Sequence, residues 1–209
     1  MIITLTGFMG CGKSSVGRRL SELLCCPFMD LDSVIEEYAG KSIPEIFATE
    51  GEAAFRQMEL EALRTIIGHS DSLSALLAPS HSIAAGPSPY PGVGKCQFRT
   101  SDYRNDSKRH LVIALGGGTV MTPECAELVQ NNTRCIYLKA SVETLVEHLA
   151  GEAAGRPMLA DADLRPRIET LMQQRAATYE KNAHVIIDTD GKTVDEIASA
   201  ISYAWSTKH

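Results

Sequence analysis

Gly7-Phe8-Met9-Gly10-Cys11-Gly12-Lys13-Ser14-Ser15, residues 7–15 (GFMGCGKSS), follows the charge-free run Met1 to Thr6 (MIITLT). Ile2-Ile3-Thr4-Leu5 is β-branched and apolar, so it reads as a short buried strand. From Lys13 the period changes. Val16, Leu20, Leu23 and Leu24 recur at helical spacing until Pro27 stops the helix. Between strand and helix, residues 7–14 fit the pattern G-x-x-x-x-G-K-[ST]. Glycines let the backbone turn so that several N–H groups face inward as an anion nest, and the helix start adds its positive end. In such a loop Lys13 reaches the β- and γ-phosphates of a nucleotide, and the Ser14 hydroxyl faces Mg²⁺. A glycine-rich turn without a ligand is the plain alternative; the strand and helix on either side speak against it. Cys11 reads as a small loop filler, or as a redox switch if the helix N-terminus lowers its pKa.

The chain has 209 residues, 44% hydrophobic and 22% charged, enough for one α/β domain with a sizeable core. Its formal net charge of -6 argues against sequence-independent nucleic-acid binding, which needs a basic surface. The six cysteines form no C-x-x-C, and Cys25 beside Cys26 is a poor start for a disulfide framework. No apolar run approaches the ~20 residues of a membrane helix, and the N-terminus has no leader pattern. A reduced, cytoplasmic protein is expected.

Further strands are expected at Phe28-Met29, Leu111 to Leu115, Cys135 to Leu138 and His184 to Ile187. Helices separate them. Asp32 or Ser33 caps one; Ser42-Ile43-Pro44-Glu45 is a capping box opening another. A third follows Gly51, with Phe55, Met58, Ala62 and Ile66 near one face. Thr122-Pro123 and Ser141 open two more, a long one carries Leu164, Ile168, Leu171, Arg175 and Tyr179, and Thr193 boxes the last with Glu196. Strands alternating with helices imply a parallel sheet covered on both faces.

Five features narrow what receives the phosphate. Asp30 and Asp32 stand at the C-terminal end of a strand, where open α/β sheets bind ligands. In extended backbone they would point the same way, one toward Mg²⁺ and one toward sugar-like hydroxyls. A plain helix cap is the bland reading of Asp32. Arg56 and Arg175 lie on separate helices and could clamp a carboxylate in bidentate fashion, against ordinary ion pairing. Arg175 rides an apolar stripe, where an arginine needs an anionic partner. Gly116-Gly117-Gly118 allows close approach of backbone to a small ligand. Arg156, in Gly155-Arg156-Pro157-Met158-Leu159, fits a lid arginine over a transferring phosphoryl.

Together these pieces resemble the shikimate kinase family. The matching runs are GFMGCGKSSVGRRL, FMDLDSVIE, GKSIPEIFATEGEAAFR, ALGGG, GRPML and QQRAATYE, in the family's order. The resemblance implies an α/β P-loop kinase fold, a three-layer α/β/α arrangement with a five-stranded parallel sheet, a helical substrate-binding region and a lid. It implies a single domain over 1–209, with the substrate region at 32–68 and the lid at 150–163. The implied reaction is ATP-dependent phosphorylation of the 3-hydroxyl of shikimate, in aromatic amino acid biosynthesis. Gly10, Cys11, Gly12, Lys13, Ser14 and Ser15 would bind ATP phosphates, with Ser14 and Asp30 serving Mg²⁺. Lys13, Asp32 and Arg156 would be catalytic, and Asp32, Arg56, Gly117 and Arg175 would hold shikimate. His148 falls near an arginine that many members set against the adenine. The expected partner is the small-molecule acceptor alone, with no nucleic acid and no membrane, and the chain is expected to be a monomer.

Residues 69–110 depart from the family, which uses a much shorter link. The span holds eight serines and four of the nine prolines, and reads as a flexible surface insertion or, being locally basic, as a docking segment. Two rival functions remain: another small-molecule P-loop kinase, for gluconate or a nucleoside monophosphate, and a non-catalytic nucleotide-binding regulator.

Overall fold

The computed structural model describes residues 1–68, 110–150 and 164–206. Its centre is β1, Ile2–Thr6, with every residue buried. A strand this free of charge is stable only when covered on both faces, and its neighbours supply that cover. β2 is Phe28–Asp30, β3 Leu111–Ala114, β4 Thr133–Lys139 and β5 Val185–Asp188. All pair in parallel, in the order β2-β3-β1-β4-β5. Ile2 lies opposite Leu111 on one side and Thr133 on the other. That register puts the end of β1 beside the end of β3, so the first loop and the triple glycine meet.

The helices follow the sequence signals closely. They are α1 Lys13–Leu23, α2 Leu31–Ala39, α3 Ile43–Thr49, α4 Gly51–Gly68, α5 Pro123–Asn132, α6 Val142–Leu149, α7 Leu164–Asn182 and α8 Val194–Ser206. The expected capping boxes form: Ser42 N–H donates to Glu45 Oε2 at 2.8 Å, and Thr193 N–H to Glu196 Oε2 at 2.8 Å. Helix α1 packs against α8, while α5 and α7 pack on β4 and on each other. Helices α2, α3 and α4 pack together beyond β2, as the helical region expected between strands two and three.

Two expectations are corrected. Asp30 and Asp32 do not share an extended segment. Asp30 ends β2 and is itself the N-cap of α2, its Oδ1 accepting from Asp32 N–H at 3.2 Å, so Asp32 sits in the first helical turn. A short polar side chain at a strand's end competes well for the orphan amides of the next helix. Second, the packed face of α4 is wider than Phe55, Met58, Ala62 and Ile66: those four pack on the core, Met58 and Ala62 only partly buried, and Glu59, Leu60 and Leu63 are buried with them. A carboxylate thus stands among the buried residues of this helix. The expected insertion, but for His110, and the expected lid, but for Ala150, lie outside the described residues.

Candidate active site

The loop between β1 and α1 is shaped by backbone that only glycine adopts easily. Gly10 and Gly12 have φ of 81° and 87°. The Lys13 ammonium is buried and donates to the carbonyls of Gly7, at 3.0 Å, and Phe8, at 2.9 Å. It therefore braces the loop it belongs to. Ser14 opens α1 with its hydroxyl donating to Asp30 Oδ2 at 2.5 Å. Loop and strand β2 thus bring together the hydroxyl and the carboxylate that the sequence assigned to Mg²⁺. Among the described residues no cluster of three His, Cys, Asp or Glu could hold a metal alone. The donor set therefore fits a Mg²⁺ held chiefly by phosphate and water, as is usual at nucleotide sites. Ser15 is exposed at the helix start. Cys11 is buried, and burial pushes its thiol up against the smaller opposing pull of Lys13, which favours the loop-filler reading over the redox one. His148 Nδ1 lies 2.8 Å from the Gly10 carbonyl, which requires the Nδ1–H tautomer. The ring's own contact is with the loop.

The second half is assembled around the triple glycine, and each glycine has a separate neighbour. A methyl group at Gly116 would lie 2.7 Å from Asp32 Oδ1, and 2.9 Å from both Glu59 Oε1 and Thr119 Oγ1. One at Gly117 would lie 3.1 Å from Met9 N in the phosphate loop, and one at Gly118 2.7 Å from both terminal nitrogens of Arg56. No side chain fits at the first and third positions unless a charged group moves. The turn therefore brings Asp32, Arg56 and the phosphate loop onto one short stretch of backbone.

The charges here are unevenly matched. Arg56 donates from Nη1 to Glu59 Oε2 at 2.6 Å and from Nη2 to Glu52 Oε1 at 2.9 Å. Arg175 is buried on α7, and among the described residues it has no ion pair; its Nη1 lies 3.5 Å from the Gly117 carbonyl. The Tyr179 hydroxyl, one turn on, donates to that same carbonyl, and its ring stacks on Tyr137 at 5.2 Å. Asp32 Oδ1 is buried without a hydrogen-bond partner. Burial, with Asp30 and Glu59 adding repulsion, pushes the Asp32 carboxyl up to about 6. Among the described residues, a buried arginine without an ion pair and a buried carboxylate oxygen without a donor thus approach adjacent glycines of one turn, an arrangement that suits a ligand carrying both an anion and a hydroxyl donor.

Asp32, Arg56 and Arg175 stand against the glycine turn that holds Gly117, and Asp30 stands beside Ser14; Arg156 lies outside the described residues. Glu59, Thr119 and Tyr179 were not foreseen. Glu59 had a signal, standing three residues after Arg56 at the spacing of a helical ion pair, while Glu52 stands four before it.

The family model for shikimate kinase matches residues 9–76 and 98–204. The chain belongs to the shikimate kinase family. A shikimate kinase from Thermus thermophilus is 37% identical over 199 residues, covering 95% of this chain and 86% of that protein. One from Rhodopirellula baltica is 34% identical over 200 residues, covering 94% and 86%. Among solved structures, the shikimate kinase of Acinetobacter baumannii in complex with shikimate superposes with a TM-score of 0.76 at 26% identity, over 99% of this chain and 93% of that one. The Aquifex aeolicus shikimate kinase gives 0.70 at 26%, over 100% and 98%. The five-stranded parallel sheet with its surrounding helices is therefore the P-loop kinase fold of this family. Shikimate kinases use ATP with Mg²⁺, the pair the first loop fits. No helix among the described residues is long and apolar enough to cross a membrane.

Proposed function

We propose that the chain phosphorylates the 3-hydroxyl of shikimate with ATP, giving shikimate 3-phosphate and ADP, and that the residues above divide the work as follows. The observation that carries the reading is a pair of buried groups unmatched among the described residues: Arg175 without a carboxylate and Asp32 Oδ1 without a donor, beside adjacent glycines of one turn. Shikimate carries the complement of both, a carboxylate and ring hydroxyls.

Residues 10–15 hold the phosphates through their amides, with Lys13 leaving its loop carbonyls to reach them. Ser14 and Asp30 are the residues that would serve Mg²⁺, which neutralises phosphate charge when bound. Arg56 and Arg175 take the acceptor's carboxylate, and Gly117 lets the acceptor sit against backbone. Asp32 accepts a hydrogen bond from the acceptor hydroxyl and holds its proton as the oxygen attacks. Arg156 is assigned, on the resemblance alone, to the transferring phosphoryl. Phosphoryl transfer needs in-line placement more than a strong base, so most of the rate comes from how these groups orient the acceptor. The helical segment 32–68 is the acceptor-binding region, and the protein is read as a cytoplasmic monomer with no macromolecular partner.

A coupled ADP-release assay with shikimate, gluconate and AMP tests the reading. ADP release that depends on shikimate alone is expected. Release driven by gluconate or AMP, or ATP binding with no acceptor-dependent release, would overturn it.

A further inference from the structure

We propose that Thr119 is a positioning residue that sets how tightly the acceptor's carboxylate is held, acting through Glu59 on Arg56. The inference rests on the shikimate kinase reading and extends it to a group that touches neither substrate.

Thr119 opens the short 3-10 turn Thr119–Met121 just past the triple glycine and is fully buried. Its hydroxyl donates to Glu59 Oε1 at 2.5 Å, so its one proton is committed to that carboxylate. Glu59 is also fully buried, and its other oxygen accepts from Arg56 Nη1 at 2.6 Å. Each Glu59 oxygen thus has one donor, as a buried carboxylate requires. Arg56 spends one N–H of Nη1 on Glu59 and one of Nη2 on Glu52. A guanidinium has five N–H groups, so among the described residues three are left for an incoming anion.

Removing the Thr119 hydroxyl leaves Glu59 Oε1 buried and without that donor. Its nearest remedy is the guanidinium it already touches: turning to a two-pronged pair with Arg56 restores both bonds. That turn consumes an N–H the acceptor would use and rotates the guanidinium plane. The guanidinium has little room to shift toward the turn, since it lies so close to Gly118 that a methyl there would stand 2.7 Å from both terminal nitrogens. Thr119 therefore keeps Glu59 single-pronged and Arg56 open. Glu59 could instead be a plain core ion pair, in which case the hydroxyl would matter to stability alone.

Steady-state kinetics of Thr119→Val and Thr119→Ser, alone and with Arg56→Lys, separate these. Thr119→Val is expected to raise KM for shikimate about tenfold, the scale of an unsatisfied buried group. KM for ATP and kcat should stay within about twofold, and Thr119→Ser should match the parent. In the Arg56→Lys background the same valine change should move KM for shikimate less than about twofold, because the group it acts through is gone. Should the valine protein not fold, Thr119→Ala removes the hydroxyl without adding volume and carries the same expectations. Unchanged KM for shikimate, parallel rises for both substrates, or an equal rise in both backgrounds would overturn the inference. A parent enzyme that releases no ADP with shikimate would instead overturn the functional reading beneath it.

Discussion

The two halves of the active site are built on opposite plans. The nucleotide half is one run of nine residues, 7–15, with Asp30 beside it, and its polar side chains are satisfied close by: Lys13 on its own loop's carbonyls, Ser14 on Asp30. The acceptor half comes from four separate segments, α2, α4, the glycine turn and α7, and among the described residues leaves Asp32 Oδ1 without a donor and Arg175 without an ion pair. A loop of backbone amides binds phosphate whatever carries it; side chains gathered from afar decide what receives it. The contrast explains how one loop serves many kinases while the pocket marks a single family.

The contrast can be broken most severely at Lys13. Lys13→Ala should lower kcat by about a thousandfold, the scale of losing a charge aimed at the transferring phosphoryl, while the Kd for shikimate changes less than about threefold. Comparable losses in both would show that the halves are not separable.

A second test works from the acceptor side. Gly118→Ala puts a methyl 2.7 Å from both Arg56 terminal nitrogens, so KM for shikimate should rise about tenfold or more with KM for ATP nearly unchanged. Equal effects on both substrates would place the damage in the shared turn instead.

Asp32 links pH to both activity and stability. With its carboxyl pushed up to about 6 by burial, kcat/KM for shikimate should fall about tenfold per unit below pH 6, as the free enzyme takes up the proton. The sign for stability is opposite. A carboxyl raised in the folded protein contributes stability that is full below its ordinary value near 3.8, and this is lost as pH rises through 6. Asp32→Asn should therefore be inactive yet more stable than the parent at pH 7.5, by about 3 kcal/mol, with the gain vanishing near pH 4. A parent protein as stable as the variant at pH 7.5 would remove the idea of a pocket held under charge strain.

The smallest effect is expected at residues 72–108. The family model passes from residue 76 to 98 without matching what lies between. Deleting 72–108 should leave kcat and both KM values within about twofold; weaker shikimate binding would make the span part of the acceptor half.

Sequence legibility follows the same division. The phosphate loop was readable because consecutive residues in a strand–loop–helix context determine its geometry. The five strands were readable because each is a short apolar run bounded by glycine, proline or a cap. The acceptor half was readable residue by residue only through its likeness to a family. Spacing along a chain does not say that Gly116 touches Asp32 while Gly118 touches Arg56. Two details escaped for local reasons. Asp30 took the cap of α2, moving Asp32 off the strand, and Glu59 joined the buried residues of α4, where the ion pair with Arg56 satisfies it.

A crystal structure with shikimate and ADP tests the central claim most directly. The carboxylate of shikimate should lie within hydrogen-bond reach of both Arg56 and Arg175, with a ring hydroxyl on Asp32 Oδ1. Shikimate bound with its carboxylate on neither arginine, or Asp32 Oδ1 still unpaired, would contradict the account.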